Sequence, residues 1–501
     1  MNDKMRFWKS GILLTFVGLA MRTVSMFFGA YISRTIGAEG TGIFTLVMTV
    51  YSLAITFATS GVSLTVTRLV ASAIGEGRQE NVKRVMKGAV VYSLFFSLLT
   101  SLVLFFGAEL FGNEILGEQR TVYSLKILAF SLIPVSLSSV FTGYFVGVKR
   151  VAFNAGASVF CQAIKIGITV FFVGHLAQYG IVSAVAGLCF GITLTELVGF
   201  LLIYLEYIYD RRKRSSPANE KGIELREVSK IALPLAFSAY VRSVLLNIEH
   251  ILIPRKLKEK GESTNEAYAH YGILHGMALP VIMYPMSPLS SFAGLLVPEF
   301  AEDMAGGKRE RMSRIASKAF NATLVYSTVS AVMMFCFSRE LGYALYDSYD
   351  AGYYISCLAI VVPIMYLDHV TDSMLKGIGE QVFSMWVNIS DSLLSVILVG
   401  FLIPRMGIMG YALVIVIMEG YNFALSFLRL QSKINFKISI VASFVLPLII
   451  SAFASLIAGA LFGFAGSGVG AVWIALKMIF SLSLVVLALS IIDFSKKIQA
   501  K

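Results

Sequence analysis

The chain has 501 residues, of which 57% are hydrophobic and only 14% are charged, whereas about 25% of the residues in an ordinary soluble protein are charged. The mean hydropathy of +0.77 indicates a polytopic membrane protein and excludes a large soluble catalytic module. A net charge of +12 suits nucleic-acid binding in a soluble protein, but in a membrane protein excess lysine and arginine are topology signals. We therefore expect no nucleic-acid partner.

Fourteen apolar stretches are long enough to cross a membrane, since a helical span takes about 20 residues. The first follows a basic start and is not closed by a small-residue cleavage site, so we interpret it as a span and not as a signal peptide. The predicted spans are Ser10–Ile32, Thr41–Ala71, Gly88–Phe111, Val122–Val148, Phe153–Leu176, Ile181–Tyr207, Val228–Ile253, Tyr271–Phe300, Ala319–Phe337, Tyr353–Leu375, Phe383–Ile403, Ile408–Phe427, Ile438–Phe462 and Ala471–Ile492.

Lysine and arginine are distributed unevenly between the segments that join these spans. If the amino terminus is cytoplasmic, 28 of the 42 basic side chains fall in inner segments and 8 in outer ones. This asymmetry predicts a bacterial cytoplasmic membrane protein with both termini in the cytoplasm. The outer segment from Arg255 to Lys260 goes against the rule, but it also carries Glu259 and Glu262.

An ungapped internal echo appears when the chain is shifted along itself so that Gly42 falls on Gly272. This one shift, which we call the repeat offset, also places Arg84 on Arg314, Gly147 on Gly377 and Phe153 on Phe383, in loops and spans alike. The echo predicts two parallel six-helix lobes related by a pseudo-twofold axis along the membrane normal, with alternating access to a central cavity. We expect the lobes at residues 1–220 and 221–432, and two extra helices within residues 433–501.

The eighth predicted span carries four prolines: Pro280, Pro285, Pro288 and Pro298. Proline bends a membrane helix and frees backbone carbonyl groups. The prolines therefore predict a bent helix, which is either a curved packing helix or a hinge that lines the cavity.

Ionisable side chains at membrane depth are functional candidates because their burial costs at least a few kcal/mol. Arg22 and Arg242 lie at similar places in the opening spans of the two lobes, and two guanidinium groups in a wet cavity suit a bidentate grip on phosphate oxygens. The structural alternative for Arg242 is an ion pair with Glu249. Arg68 is a third substrate-binding candidate, although its place near a span end also suits snorkelling to the interface.

Five further charged residues are candidates for coupling to protons or sodium. Lys165 and Glu196 form either a structural pair or a coupling site, and Glu249, Asp391 and Glu419 complete the set. The four cysteines lie in apolar runs, and the sequence contains neither an HExxH motif nor a P-loop. We therefore expect no metal, no cofactor and no catalytic residues.

Two segments carry a family resemblance. ISRTIGAEGTGIFTLVMTVYSLAITFATSGVSLTVTRLVA (Ile32–Ala71) and VRSVLLNIEHILIPRKL (Val241–Leu257) resemble the multidrug/oligosaccharidyl-lipid/polysaccharide exporter superfamily, in particular its polysaccharide-exporter branch, which includes sporulation proteins and lipid II flippases. The resemblance implies the two-lobe fold, a lipid-linked saccharide substrate and a role in peptidoglycan or other envelope polysaccharide synthesis. In lipid II flippases, arginines on the first helices handle the pyrophosphate. Arg22 matches one of them, whereas Phe27 and Phe28 occupy the turn of a second.

The leading hypothesis is a flippase for an undecaprenyl-pyrophosphate-linked saccharide, in which a groove on the last two spans holds the lipid tail. The alternatives are a cation-coupled multidrug exporter of the same superfamily and a non-transporting scaffold of an envelope synthesis complex. A polyprenyl-phosphate glycosyltransferase is disfavoured because it needs acidic metal ligands or a large outer loop. The expected partners are the lipid-linked substrate, membrane lipid and envelope synthesis enzymes, and we expect a monomer.

Overall fold

The computed structural model describes residues 2–59, 61–75, 79–148, 151–213, 225–464 and 471–499. These residues form helices and short connections without a strand, which confirms the predicted all-α class. The helices are α1 (Asn2–Thr59), α2 (Val62–Gly75), α3 (Gln79–Phe106), α4 (Val122–Ala129), α5 (Leu132–Gly147), α6 (Val151–Leu176), α7 (Ile181–Lys213), α8 (Leu225–Glu259), α9 (Thr264–Tyr271), α10 (Leu279–Met283), α11 (Met286–Ala305), α12 (Arg309–Cys336), α13 (Ser338–Tyr346), α14 (Tyr349–Ala359), α15 (Val362–Gly377), α16 (Gln381–Met406), α17 (Ile408–Lys433), α18 (Leu446–Phe464) and α19 (Ala471–Gln499).

The number of membrane crossings follows from helix length and composition. Among the described residues, nine helices are long and apolar enough to cross a membrane, or twelve if each of three bent helix pairs is one span. Helix α1 is itself two helices that meet at Gly37, where φ is 73°. The count of fourteen stays a prediction.

The proline-rich eighth span is bent, as the sequence predicted. Its two parts, Thr264–Met283 and Met286–Val297, meet at 60°, and the break falls beside Pro285, which has no amide hydrogen to donate. Two tyrosines compensate for the break: the hydroxyl of Tyr326 donates to the carbonyl oxygen of Pro285 at 2.8 Å, and that of Tyr366 donates to Ile282 at 2.7 Å. The bend therefore keeps its backbone hydrogen-bonded inside the protein.

Helix boundaries recur at the repeat offset. That offset carries both ends of α3, α5 and α6 onto the ends of α12, α15 and α16, respectively. The paired residues Gly147 and Gly377 lie at equivalent close contacts: a Cβ atom added at Gly147 would come within 3.0 Å of Val70 on α2, and one added at Gly377 within 2.7 Å of Phe300 on α11. The arrangement of the two halves about an axis stays a prediction.

The chain forms two compact units. The first unit comprises Met1–Met21 and Thr35–Arg255, and the second comprises Arg22–Arg34 and Lys256–Lys501. This composition differs from a simple division at residue 220, because α8 groups with the first unit as far as Arg255. Tyr240 of α8 stacks on Phe57 there, with the ring centroids 4.3 Å apart. The extra helices α18 and α19 belong to the second unit, where Lys477 of α19 binds Glu340 at 2.8 Å.

The contact between α2 and α5 depends on glycine. A Cβ atom at Gly143 would lie 2.5 Å from the carbonyl oxygen of Ser63, whereas one at Gly167, also inside a helix of the first unit, would meet nothing within 4 Å. We expect Gly143→Ala to destabilise the protein by about 1–3 kcal/mol through overpacking. Gly167→Ala should be neutral or stabilising, by up to about 1 kcal/mol, because alanine is the better helix former. Thermal unfolding of both variants in one detergent checks this, and equal midpoints would contradict it.

Candidate functional site

The second half of the opening span is anchored to the second unit by Arg34. Its guanidinium donates to the carbonyl oxygens of Leu345 (2.7 Å), Tyr343 (3.3 Å) and Ala344. These carbonyls close α13, after which Asp347 takes the left-handed conformation with φ at 52°. The last carbonyls of a helix lack intrahelical partners and attract positive charge, so Arg34 caps α13.

Arg255 makes the matching contact in the first unit. It lies in the last turns of α8 and donates to the carbonyl oxygen of Glu114. Glu114 belongs to the π-helical turn Leu110–Leu116, which ends at Gly117 in the left-handed conformation with φ at 65°. Because the repeat offset carries Gly117 onto Asp347, the two arginines cap equivalent helix ends.

The sequence analysis did not predict this role for either arginine and named Arg255 only as the start of an outer segment. The sequence does contain one signal, because the repeat offset relates the two helix ends that the arginines cap. Each helix end lies in the half of the sequence that does not contain its arginine. No motif shows that an arginine from the other half of the sequence reaches it. A further contact holds the same part of α1: the hydroxyls of Thr23 and Tyr284 are 2.6 Å apart within the second unit.

The three proposed phosphate-binding residues differ in what the structure describes. The side chain of Arg242 is exposed on α8. The side chains of Arg22 and Arg68 lie outside the described residues, so a meeting of Arg22 with Arg242 stays a prediction. The neighbouring residues of α8 are ordered by packing: Ser243 Oγ lies 3.3 Å from Thr56 Oγ1, and the buried Asn247 donates to the carbonyl oxygen of Ser243 at 2.7 Å.

Two of the proposed coupling residues attract each other in the first unit. Lys165 of α6 and Glu196 of α7 are both half-buried, and the ammonium group stabilises the carboxylate electrostatically. Glu249 is buried on α8 with 8% of its surface exposed. Lys165 and Glu196 are thus within electrostatic range of each other, and both alternatives for this pair stay predictions.

Three carboxyl groups from adjacent helices interact in the second unit. Asp368 of α15, Asp391 of α16 and Glu419 of α17 lie within electrostatic range of one another, and Asp372 and Lys376 of α15 also act on Asp368. One buried oxygen of Asp368 has no hydrogen-bond partner among the described residues. We name these three residues the acidic group. Binding a proton or a monovalent cation relieves repulsion between buried carboxylates.

The acidic group was only partly predicted. The sequence analysis singled out Asp391 and Glu419 but not their proximity to Asp368, because the three come from different helices. Within the described part of the chain, no group of three or more histidine, cysteine, aspartate or glutamate side chains is placed to hold a metal ion.

Two lysines at membrane depth form ion pairs. Lys126 Nζ lies 2.8 Å from Glu109 Oε1, and Lys477 Nζ lies 2.8 Å from Glu340 Oε1. Pairing reduces the cost of placing an ammonium group in the membrane. Glu109 lies just outside the span of α3, and the hydrogen bond from Lys126 holds the pKa of its carboxyl group below the usual range.

Comparison with known families assigns the chain. Residues 7–304, more than half of its length, match the polysaccharide biosynthesis protein family. The chain belongs to this family. Residues 274–402 also match the MatE family.

Individual relatives support the family assignment. Stage V sporulation protein B of Bacillus subtilis (strain 168) is 25% identical over 420 residues, which cover 82% of this chain and 81% of the relative. The lipid II flippase MurJ of the same organism is 20% identical over 400 residues, which cover 74% of this chain and 73% of the relative. A solved structure of lipid II flippase MurJ in an inward closed conformation has the same fold, with a TM-score of 0.73 and 15% identity over 97% of this chain and 100% of that one.

These similarities confirm that the chain is a member of the multidrug/oligosaccharidyl-lipid/polysaccharide exporter superfamily. The protein is therefore a multi-pass cytoplasmic membrane transporter and not an enzyme.

The two arginine caps predict separate local effects. In Arg34→Ala, the amides of residues 338–347 should exchange with deuterium about tenfold faster, because a hydrogen bond from a charged group to a carbonyl contributes about 1.5 kcal/mol even at its weaker end. In Arg255→Ala, the acceleration should fall on residues 110–117. Hydrogen exchange measured by mass spectrometry tests both variants, and each is the control of the other. Identical exchange patterns in the two variants would refute separate caps.

Proposed function

We propose that the protein is a flippase that moves an undecaprenyl-pyrophosphate-linked saccharide, a precursor of peptidoglycan or another envelope polysaccharide, across the bacterial cytoplasmic membrane by alternating access. The observation that carries the proposal is the exposed guanidinium of Arg242 on a helix of a chain whose fold matches a lipid II flippase over 97% of its length. An arginine offers paired donors to phosphate oxygens.

The proposed substrate site consists of Arg242, Arg22 and Arg68, which grip the pyrophosphate. Translocation forms and breaks no covalent bond, so the site needs no nucleophile and no general acid or base. A large anionic head group requires positive charge in the cavity, while the prenyl tail stays in lipid along α18 and α19. Membrane lipid and envelope synthesis enzymes are the proposed partners, with the transporter acting as a monomer.

The acidic group of the second unit is the proposed coupling site for protons or sodium, with Lys165, Glu196 and Glu249 as further candidates in the first unit. The same acidic group favours a second candidate function, cation-coupled multidrug export, because carboxylates attract organic cations. The match of residues 274–402 to the MatE family supports this alternative. A non-transporting scaffold needs neither site.

Leaflet exchange tests the proposal directly. Proteoliposomes receive a fluorescent undecaprenyl-pyrophosphate-linked saccharide, and dithionite then bleaches only the fluorophores in the outer leaflet. A flippase makes nearly all of the dye accessible, whereas about half stays protected without protein. Protection at the level of empty vesicles would refute the proposal. Efflux of ethidium driven by a sodium or proton gradient would then support the exporter, and no transport of either probe would support the scaffold.

The contribution of the arginines to substrate affinity can be measured. Arg242→Ala should weaken binding of the lipid-linked saccharide about ten- to a hundredfold, because a charge-assisted hydrogen bond contributes about 1.5–3 kcal/mol. Arg242→Lys should recover only part of the loss, since lysine keeps the charge but not the planar fork. We expect the same order for Arg22→Ala and Arg22→Lys.

The control for the arginine variants is Arg405→Ala. Arg405 is exposed at the end of α16, where it lies over the ring of Phe401, and its removal should leave binding unchanged. Equal amounts of each variant in the membrane separate lost affinity from lost folding. Normal binding by a normally abundant Arg242→Ala variant would refute the grip.

The proposed orientation places both termini in the cytoplasm. In a background in which the four native cysteines are replaced by serine, Thr264→Cys should react in intact cells with a membrane-impermeant maleimide. Ser432→Cys should react only after lysis. Both positions are exposed in the structure, so a difference in labelling reports the side of the membrane. Labelling of Ser432→Cys in intact cells would contradict the orientation.

A further inference from the structure

A cavity of about 620 Å³ lies within the first unit, between α3, α5 and α7. Its wall is basic at one end and aromatic along the floor, and none of the described residues that line it is acidic. The basic side chains are Lys83, Lys87 and Arg211, and the principal aromatic ones are Phe141, Phe200 and Tyr204.

The basic end is formed where α3 begins and α7 ends. Lys83 and Lys87 are one helical turn apart, and the side chains of Lys87 and Arg211 are exposed. Tyr207, on the cavity wall, lies near Arg211. The nearest carboxylate on α7, Asp210, is buried and accepts a hydrogen bond from Tyr144 Oη at 2.7 Å. The three basic side chains at this end of the cavity can therefore attract an anion.

The rest of the cavity leads to surface that faces lipid. Val91 on its wall is 43% exposed, and the next residues along the same side of α3, Leu94 and Phe95, are 41% and 63% exposed. An occupant that matches this gradient has an anionic head and an apolar chain.

The corresponding face in the second half of the chain is already covered. The repeat offset carries Lys83 and Lys87 onto Ser313 and Ser317 of α12, which bind the segment that leads to α18. Ser313 Oγ donates to the carbonyl oxygen of Asn435 at 2.5 Å, and the amide of Lys437 donates to Ser317 Oγ at 3.1 Å. In the second unit, serine hydroxyls bound to backbone groups therefore stand where the first unit has lysine side chains.

An aromatic ring completes the cover in the second unit. Phe436 is 3% exposed and packs on Phe320 with the ring centroids 5.5 Å apart. The residue of the first half that corresponds to Phe320 is Val90, which lines the cavity. The smaller side chain and the open volume leave room for a chain in the place that Phe436 fills in the second unit.

We propose that this cavity binds an anionic glycerophospholipid of the cytoplasmic leaflet, with its phosphate at Lys83, Lys87 and Arg211 and an acyl chain against Phe141 and Phe200. Basic pockets between membrane helices on the cytoplasmic side bind anionic head groups in this way. The ligand is bulk lipid, so the proposal holds whichever substrate the transporter moves. A polyprenyl phosphate carries the same phosphate on an apolar chain and is distinguished by the test.

The test measures lipid binding by the full-length protein. Dioleoylphosphatidylglycerol is titrated into the purified transporter in detergent, its affinity is taken from the rise in the thermal unfolding midpoint, and native mass spectrometry counts the bound lipids. Phosphatidylglycerol should stabilise the protein, and phosphatidylcholine should not. Lys83→Ser combined with Lys87→Ser should weaken the apparent affinity about 25-fold, or roughly fivefold for each lysine.

Two further variants make the result specific. Lys308→Ser combined with Lys318→Ser removes the same charge around the start of α12 and should leave the affinity unchanged. Val90→Phe introduces the ring that Phe320 has at the corresponding position. It fills part of the cavity while both lysines remain, and it should also weaken lipid binding. If the double lysine variant does not fold, Val90→Phe alone tests the proposal.

Four outcomes would overturn the proposal. They are equal stabilisation by phosphatidylcholine, equal loss in the control pair, a shift reproduced by inorganic phosphate alone, and unchanged binding by Val90→Phe. Displacement of phosphatidylglycerol by much lower concentrations of undecaprenyl phosphate would assign the cavity to the carrier lipid instead.

Discussion

Lipid cannot hydrogen-bond a carbonyl group, so the backbone groups freed at a break in a membrane helix need partners within the protein or from water. Tyr326 and Tyr366 meet this requirement at the bend beside Pro285. Arg34 and Arg255 meet it at the ends of α13 and of the π-helical turn before Gly117. The breaks are thus stabilised by contacts between helices, and the bent spans can exist only in the packed protein.

The cost of placing a charge in lipid also bears on the charged side chains of the two units. Two lysines form ion pairs, Lys126 with Glu109 and Lys477 with Glu340. The exposed Arg242 and the acidic group are the charges that the proposed function uses. Arg242 lies on α8 of the first unit, and the acidic group lies across α15, α16 and α17 of the second unit. The proposed function assigns an anion to the first position and a cation to the second.

The sequence predicted the fold well where the physical signal was local. Apolar length gave the helical class, the prolines gave the bend at Pro285, and the repeat offset corresponds to the boundaries of α3, α5 and α6 and their counterparts. The repeat offset pairs Gly147 with Gly377, and at both positions a side chain would collide with the adjacent helix. Each of these signals can be read from spacing alone.

The candidate site could be predicted only in part, because its contacts join residues that are far apart in the chain. The cap from Arg34 to Leu345 spans more than half of the sequence, and the three members of the acidic group come from three helices. The grouping of α8 with the first unit also has no local signal, since it depends on contacts such as that of Tyr240 with Phe57. Side-chain chemistry indicated the candidates, but only the packing of helices decides which of them meet.

The segment from Asn435 to Ser439 makes the last two helices part of the second unit's core and not an attachment to it. Phe436 packs between Phe320 and Phe427, and the amide of Ser439 donates to Asn321 of α12 at 3.0 Å. A chain that stopped after α17 would expose an apolar cleft and leave the side-chain amide of Asn321 and the hydroxyl of Ser317 without these backbone partners. The chain's own continuation thus seals a face of α12 in the second unit, whereas the residues of α3 at the repeat offset line the cavity of the first unit.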